Sequence, residues 1–148
     1  MLISEFMIKH KMMSFTEYAN HKDRLIKEKE ITKISKTIKN LRKIKDYPIT
    51  IHFTWCVNKE DVDNNIDLID ISFSKMFILE AMKRNGYINE THVNDILQIE
   101  DSYINTDSVG VIVKVYTETE LDRDVEYILN KIGKDIEDIR SYRKYKRW

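Results

Sequence analysis

Ile49, Ile51, Phe53, Trp55 and Val57 alternate with Thr50, His52, Thr54 and Cys56. A period of two sends successive side chains to opposite faces, so this stretch predicts a strand with one buried face and with His52 on the face away from Trp55. Upstream, Ile31, Ile34, Ile38, Leu41 and Ile44 recur at steps of three and four. That spacing predicts an amphipathic helix over residues 21–45, its lysines on the opposite face. Asp46 and Tyr47-Pro48 end it, because proline disfavours helical geometry in the residue before it. A second helix is expected to start near Asp63 or Asn64, either of which can cap open backbone N–H groups. Its buried stripe is Ile66, Ile69, Phe73, Met76 or Phe77, and Ala81, and Gly86 is placed to close it in the left-handed conformation. A loop to about residue 94 leads to a strand over residues 96–103, a turn at residues 105–108 and a strand over residues 109–116. Val125, Ile128, Leu129, Ile132, Ile136 and Ile139 then predict a further helix.

The chain has 148 residues, which is enough for one core. Three glycines and one proline argue against a turn-rich sandwich or a disordered linker, and the Lys, Glu, Asp and Ile usage suits helices on a small sheet. The expected class is α/β of the α+β kind, a single domain in which a small mixed sheet is packed by two amphipathic helices, with a C-terminal helix added. The one cysteine, Cys56, has no partner for an internal disulfide, and no Cys/His cluster has zinc spacing. Residues 1–13 include Glu5, Lys9, His10 and Lys11, so they lack the apolar core of a signal peptide, and no later run reaches membrane-spanning length. A soluble protein of the cytoplasm, with no membrane partner, is the expectation.

The formal net charge is +0, yet the charges are unevenly placed. From Lys22 to Lys45 bases outnumber Asp23, Glu28 and Glu30, whereas the balance reverses between Glu60 and Asp107. A basic helix facing nucleic acid and an acidic pocket holding cations would give this division, as would a solvated helix beside an ordinary acidic surface. On the first reading Lys29, Lys33 and Lys36 are candidate phosphate contacts. The last residues, Ser141-Tyr142-Arg143-Lys144-Tyr145-Lys146-Arg147-Trp148, interleave bases with aromatics and contain no acid. Phosphate contact and base stacking use those residue types, which makes Arg143, Lys144 and Lys146 further candidates, while a frayed, solubilising terminus explains the same composition.

The stretch Phe73-Ser74-Lys75-Met76-Phe77-Ile78-Leu79-Glu80-Ala81-Met82, with Gly86-Tyr87-Ile88-Asn89-Glu90 after it and Asp61-Val62-Asp63-Asn64 before it, resembles the site region of RusA-like Holliday junction resolvases of the phage type. Ser14-Phe15-Thr16-Glu17-Tyr18-Ala19-Asn20 is similar to that family's early segment. Pro48-Ile49-Thr50-Ile51-His52-Phe53-Thr54-Trp55 is similar to its second strand, and Glu100-Asp101-Ser102-Tyr103 and Val111-Ile112-Val113-Lys114-Val115 to its closing strands. The matches run in order over roughly residues 14–116, so the resemblance divides the chain into a RusA-like domain, 1–116, and a C-terminal helical extension, 117–148.

The resemblance implies a homodimer that grips branched DNA and cuts it with Mg²⁺ or Mn²⁺. Hard cations take oxygen ligands, so carboxylates and a lysine near the scissile phosphate are the groups required. By pattern the metal ligands are Asp61, Asp63 and Glu90, with Asp63 and Lys75 as catalytic residues. The fit carries three alterations. The chain is longer between the acidic step and Ile71-Ser72-Phe73, which leaves Asp67 and Asp70 as alternatives to the first pair. Asp63, Asp67, Asp70 and Ser74 are spaced to share one helix face. Met76 occupies the family's lysine position, and Lys75 points about a hundred degrees away from it on a helix. Thr91 stands where the family has an acid, with Glu90 as the neighbouring substitute and Asp95 farther off. Two functions follow: a Mg²⁺-dependent structure-selective endonuclease, or a phage or mobile-element protein acting in the host cytoplasm. The second would keep the scaffold and bind nucleic acid or block a host protein such as a defence nuclease.

Overall fold

The computed structural model describes residues 1–65, 67–91, 95–117 and 130–134. Strand β1 (Leu2–Ile8) is followed by helices α1 (Phe15–Asn20) and α2 (Ile26–Thr37) and by strand β2 (Ile49–Val57). Three helices, α3 (Lys59–Asp63), α4 (Leu68–Ser72) and α5 (Lys75–Arg84), lead to strands β3 (Ile96–Asn105) and β4 (Gly110–Thr117). The four strands form one mixed sheet in the order β1-β4-β2-β3, with β4 antiparallel to both neighbours and β2 parallel to β3. The parallel pair requires a long crossover, which α3 to α5 supply.

The two-residue period of β2 sets the core. Ile49, Ile51, Phe53 and Trp55 lie against Val111, Val113 and Val115 of β4 and Ile8 of β1, all buried. Ile31 and Ile34 of α2, Ile38 just after it, and Phe77, Ile78, Ala81 and Met82 of α5 cover that sheet face. Two polar contacts tie the helices together. The Arg84 guanidinium donates to both carboxylate oxygens of Glu28, at 2.5 and 3.0 Å, and Asn85 Nδ2 donates to Ser35 Oγ at 2.9 Å. On the opposite sheet face His52 meets Glu100 at 2.7 Å and lies with its ring centroid 4.9 Å from that of Tyr116, as its place in the alternation predicts.

The helix expected over residues 21–45 is shorter in the structure. It stops at Thr37, Asn40 takes a left-handed φ of 71°, and Ile44 is buried from an irregular segment whose N–H donates to Tyr87 O at 2.9 Å. Ile38, Leu41 and Ile44 keep a helical spacing because they fill the core, not because they share a helix. The second predicted helix is broken into α3, α4 and α5, capped by Asn58 and Asp67 instead of Asp63 or Asn64. The break changes the phase, so Ile69 and Met76 face outward, 80% and 53% exposed, while Phe77 and Ala81 keep their buried places. Ile66 lies outside the described residues. Gly86 closes α5 with φ 74°. Both later strands fall where the alternation put them, within two residues. Residues 130–134 are helical, and the rest of the C-terminal helix predicted from Val125 to Ile139 lies outside the described residues.

Glu30 carries a titratable consequence of α2 packing. Its Oε2 is buried without a hydrogen bond, and desolvation holds its carboxyl above the usual glutamate range, against the opposing pull of Lys33. A raised folded pKa means that folding favours the protonated form, so this group's contribution to stability is present in acid and lost as pH rises through its folded pKa. Glu30→Gln is therefore expected to raise the midpoint of urea unfolding at neutral pH, and the gain should vanish once the pH falls low enough to protonate the parent side chain.

Candidate functional site

The chain turns between α4 and α5 at Phe73 and Ser74. That turn opens a cleft of about 810 Å³ toward strand β3, with Phe15, Ile69, Phe73, Met76 and Tyr103 as apolar walls and Asp67, Asp70, Lys75 and Asp101 as charges. Local chemistry places each of these. Asp67 caps α4, its carboxylate accepting from Ile69 N at 2.8 Å, which settles a helix N-terminus. Asp70 accepts from both the N–H and the Oγ1 of Thr16, at 2.8 and 3.1 Å, and so fastens α4 to α1. Phe73 packs edge-on against Phe15 and Phe77, with ring centroids 5.2 and 5.5 Å away. Tyr103 donates its hydroxyl to Leu68 O at 3.1 Å.

Asp101 is the polar centre of the cleft floor. It lies opposite Phe53 in the parallel ladder, on the helix side of the sheet, where a carboxylate needs partners. It has two. Trp55 Nε1–H donates to Oδ1 at 2.9 Å and Lys75 Nζ to Oδ2 at 2.5 Å. Both members of the ion pair are less than a third exposed. Lys75 is thus held by a carboxylate at the start of α5, its charge balanced.

The acids proposed as metal ligands are not gathered here. Asp61 lies in α3 with its side chain 13% exposed, 3.9 Å from Lys11 Nζ, beside a separate cavity of about 80 Å³ that Glu17 and Asp70 also line. Asp63 is exposed at the end of α3. Glu90 follows α5 and pairs with Lys83 at 3.3 Å. Lys83 stands eight residues along α5 from Lys75, roughly 12 Å of helix axis at 1.5 Å per residue. Among the described residues no group of three His, Cys, Asp or Glu side chains is placed to hold a metal ion. A Mg²⁺ or Mn²⁺ ion bound jointly by Asp61, Asp63 and Glu90 does not fit this arrangement. Asp63, Asp67, Asp70 and Ser74 do not share one helix face either, since they are divided among α3, the α4 cap, α4 and the buried α4–α5 junction.

The structure does bring Lys75 together with Asp67 and Asp70, the alternative acids of the sequence pattern, and adds Asp101 and Thr16. Asp101 had a readable signal: in an alternating strand it shares a face with Ile99 and Tyr103, and a lone carboxylate on a packed face implies a dedicated partner. Thr16 had none, because its contact with Asp70 spans 54 residues.

Of the nucleic-acid candidates, Lys29, Lys33 and Lys36 are exposed along α2, where with Leu25, Glu28 and Thr32 they border a shallow groove of about 390 Å³. Lys29 pairs with Asp23. Arg143, Lys144 and Lys146 lie outside the described residues. Among the described residues no helix is long and apolar enough to cross a membrane. Comparison of the chain with protein-family models, with curated proteins and with solved structures returns no match in any of the three.

Proposed function

We propose that the chain is a catalytically degenerate RusA-like protein that holds nucleic acid along α2 without cutting it. The observation that carries this reading is that no three acids converge among the described residues: Asp61 and Asp63 share α3, where Asp61 faces Lys11, whereas Glu90 pairs with Lys83 after α5. Hydrolysis with a hard cation needs oxygens converging on one ion at about 2.1 Å each. Lys75, the remaining catalytic candidate, is balanced by Asp101 and serves to complete the cleft floor.

Binding needs less. Lys29, Lys33 and Lys36 follow steps of four and three on α2, which keeps them on one face and spaces them by about 6 and 4.5 Å along the axis. Such a row meets successive phosphates of a strand and releases their counterions. The triple variant Lys29→Ala, Lys33→Ala, Lys36→Ala is expected to weaken binding of a synthetic four-way DNA junction. Its log affinity against log salt should become shallower by about 2 to 3, one for each phosphate no longer neutralised. Fluorescence anisotropy across a salt series measures this. An unchanged slope would remove α2 from the interface.

A further inference from the structure

We infer that the outer edge of β3, together with the cleft beside it, takes an extended apolar and basic segment of a partner protein as an added strand. This surface is distinct from the α2 row and its assignment does not depend on that reading. In the order β1-β4-β2-β3, β3 is an edge, and among the described residues no strand pairs with its outer side. It is ten residues long, roughly 33 Å of ladder-forming backbone. Edge strands are commonly protected by proline, lysine, short length or inward-pointing charge; Ile96–Asn105 has no proline or lysine, and its one inward carboxylate, Asp101, is already neutralised by Lys75. It instead exposes Ile99 and Ile104, 40% and 42%.

The cleft continues that surface. Ile69, Met76 and Phe15 are all more than half exposed next to it, so alternate side chains of an added strand would find apolar cover on the helix side of the sheet. Charge selects the occupant. Lys75 is balanced by Asp101, while among the described residues Asp67 and Asp70 meet neutral N–H and O–H donors, so the cleft lining keeps a negative balance. A second copy would set Glu100 and Asp101 near their own counterparts, and a nucleic-acid strand would bring phosphates to Asp67 and Asp70. An arginine- or lysine-bearing polypeptide strand meets neither penalty.

A displayed library of random ten-residue peptides, selected on the full chain and depleted on Ile69→Lys, supplies the probe. The enriched peptides should alternate apolar residues with at least one Arg or Lys. A synthetic copy should slow hydrogen exchange at the β3 amides and lose about tenfold or more in affinity on backbone N-methylation, as expected when ladder hydrogen bonds carry the contact. Ile99→Lys, at a second exposed position, should weaken the same peptide. Failure to enrich, enrichment of acidic peptides, or affinity indifferent to N-methylation and to both substitutions would overturn the inference. So would a concentration-dependent dimer abolished by Ile99→Lys, which assigns the edge to a second copy, or displacement of a four-way junction by the peptide, which assigns it to nucleic acid.

Discussion

Replacing Trp55 with alanine is expected to lower the free energy of unfolding by about 4 kcal/mol, the range found when a large buried aromatic is truncated to alanine. Trp55 is 1% exposed, stacks on Phe53 with centroids 5.6 Å apart, and stands opposite Tyr103 on one side and Val111 on the other. Its removal leaves a void at the middle of the sheet and takes the indole donor from Asp101. A domain stable by roughly 5–15 kcal/mol loses much of its margin from such a change. Trp55→Phe separates the two losses. It keeps most of the packing but withdraws the N–H, and is expected to cost about 2 kcal/mol, the scale of one hydrogen bond to a charged group. Urea titrations of the three proteins, followed by circular dichroism, give both differences. Equal costs for the two variants would mean that packing contributes little and that the Asp101 contact dominates.

Gly110→Ala is expected to cost about 3 kcal/mol or more, through backbone overlap and a strained φ together. Gly110 opens β4 with φ 129°, and a Cβ built there would stand 2.0 Å from Ile8 O, 3.1 Å from Ile8 C and 3.3 Å from Lys9 Cα. Those are main-chain atoms of and just beyond β1, so no rotamer change can relieve them. The strand pair itself would have to part. Gly86→Ala provides the contrast: its φ is 74°, but nothing lies within 4 Å of the new Cβ. Only the left-handed conformation is penalised there, at about 1–2 kcal/mol. The same urea measurement ranks them, and a Gly110→Ala variant as stable as Gly86→Ala would show that β1 and β4 do not approach so closely at this point.

The parts of the fold legible in the residues were those where burial imposes a local period. β2 is read from its alternation because both of its neighbours are strands and its helix-side face is wholly covered. β1 carries no such period. Leu2 and Ile3, then Phe6, Met7 and Ile8, come in apolar groups without alternation, and its register against β4 shifts between Leu2 and Ser4. An irregular edge strand carries a weaker signal than a central one. The break between α4 and α5 was hidden for a related reason. No glycine or proline marks it, and Ser72 and Ser74 turn inward at the junction, so a continuous helical stripe through Ile69 and Met76 was the simpler reading of the spacing.

The cleft was legible only in part. The residue pattern points to Lys75 and leaves Asp67 and Asp70 as alternatives, but their joint position depends on Thr16 holding Asp70 and on Asp101 holding Lys75. These interactions span 54 and 26 residues, and how the helical layer lies on the sheet decides them. Periodicity can assign a face to each residue. It does not bring two faces together.

Scaffold without strand cleavage is the central claim, and a four-way junction assembled from end-labelled synthetic strands tests it. Incubated with the full chain in Mg²⁺, and separately in Mn²⁺, the junction should be retarded on a native gel and run intact on a denaturing one. Paired nicks in opposing strands, present with either ion and abolished by Asp63→Asn, would contradict the account.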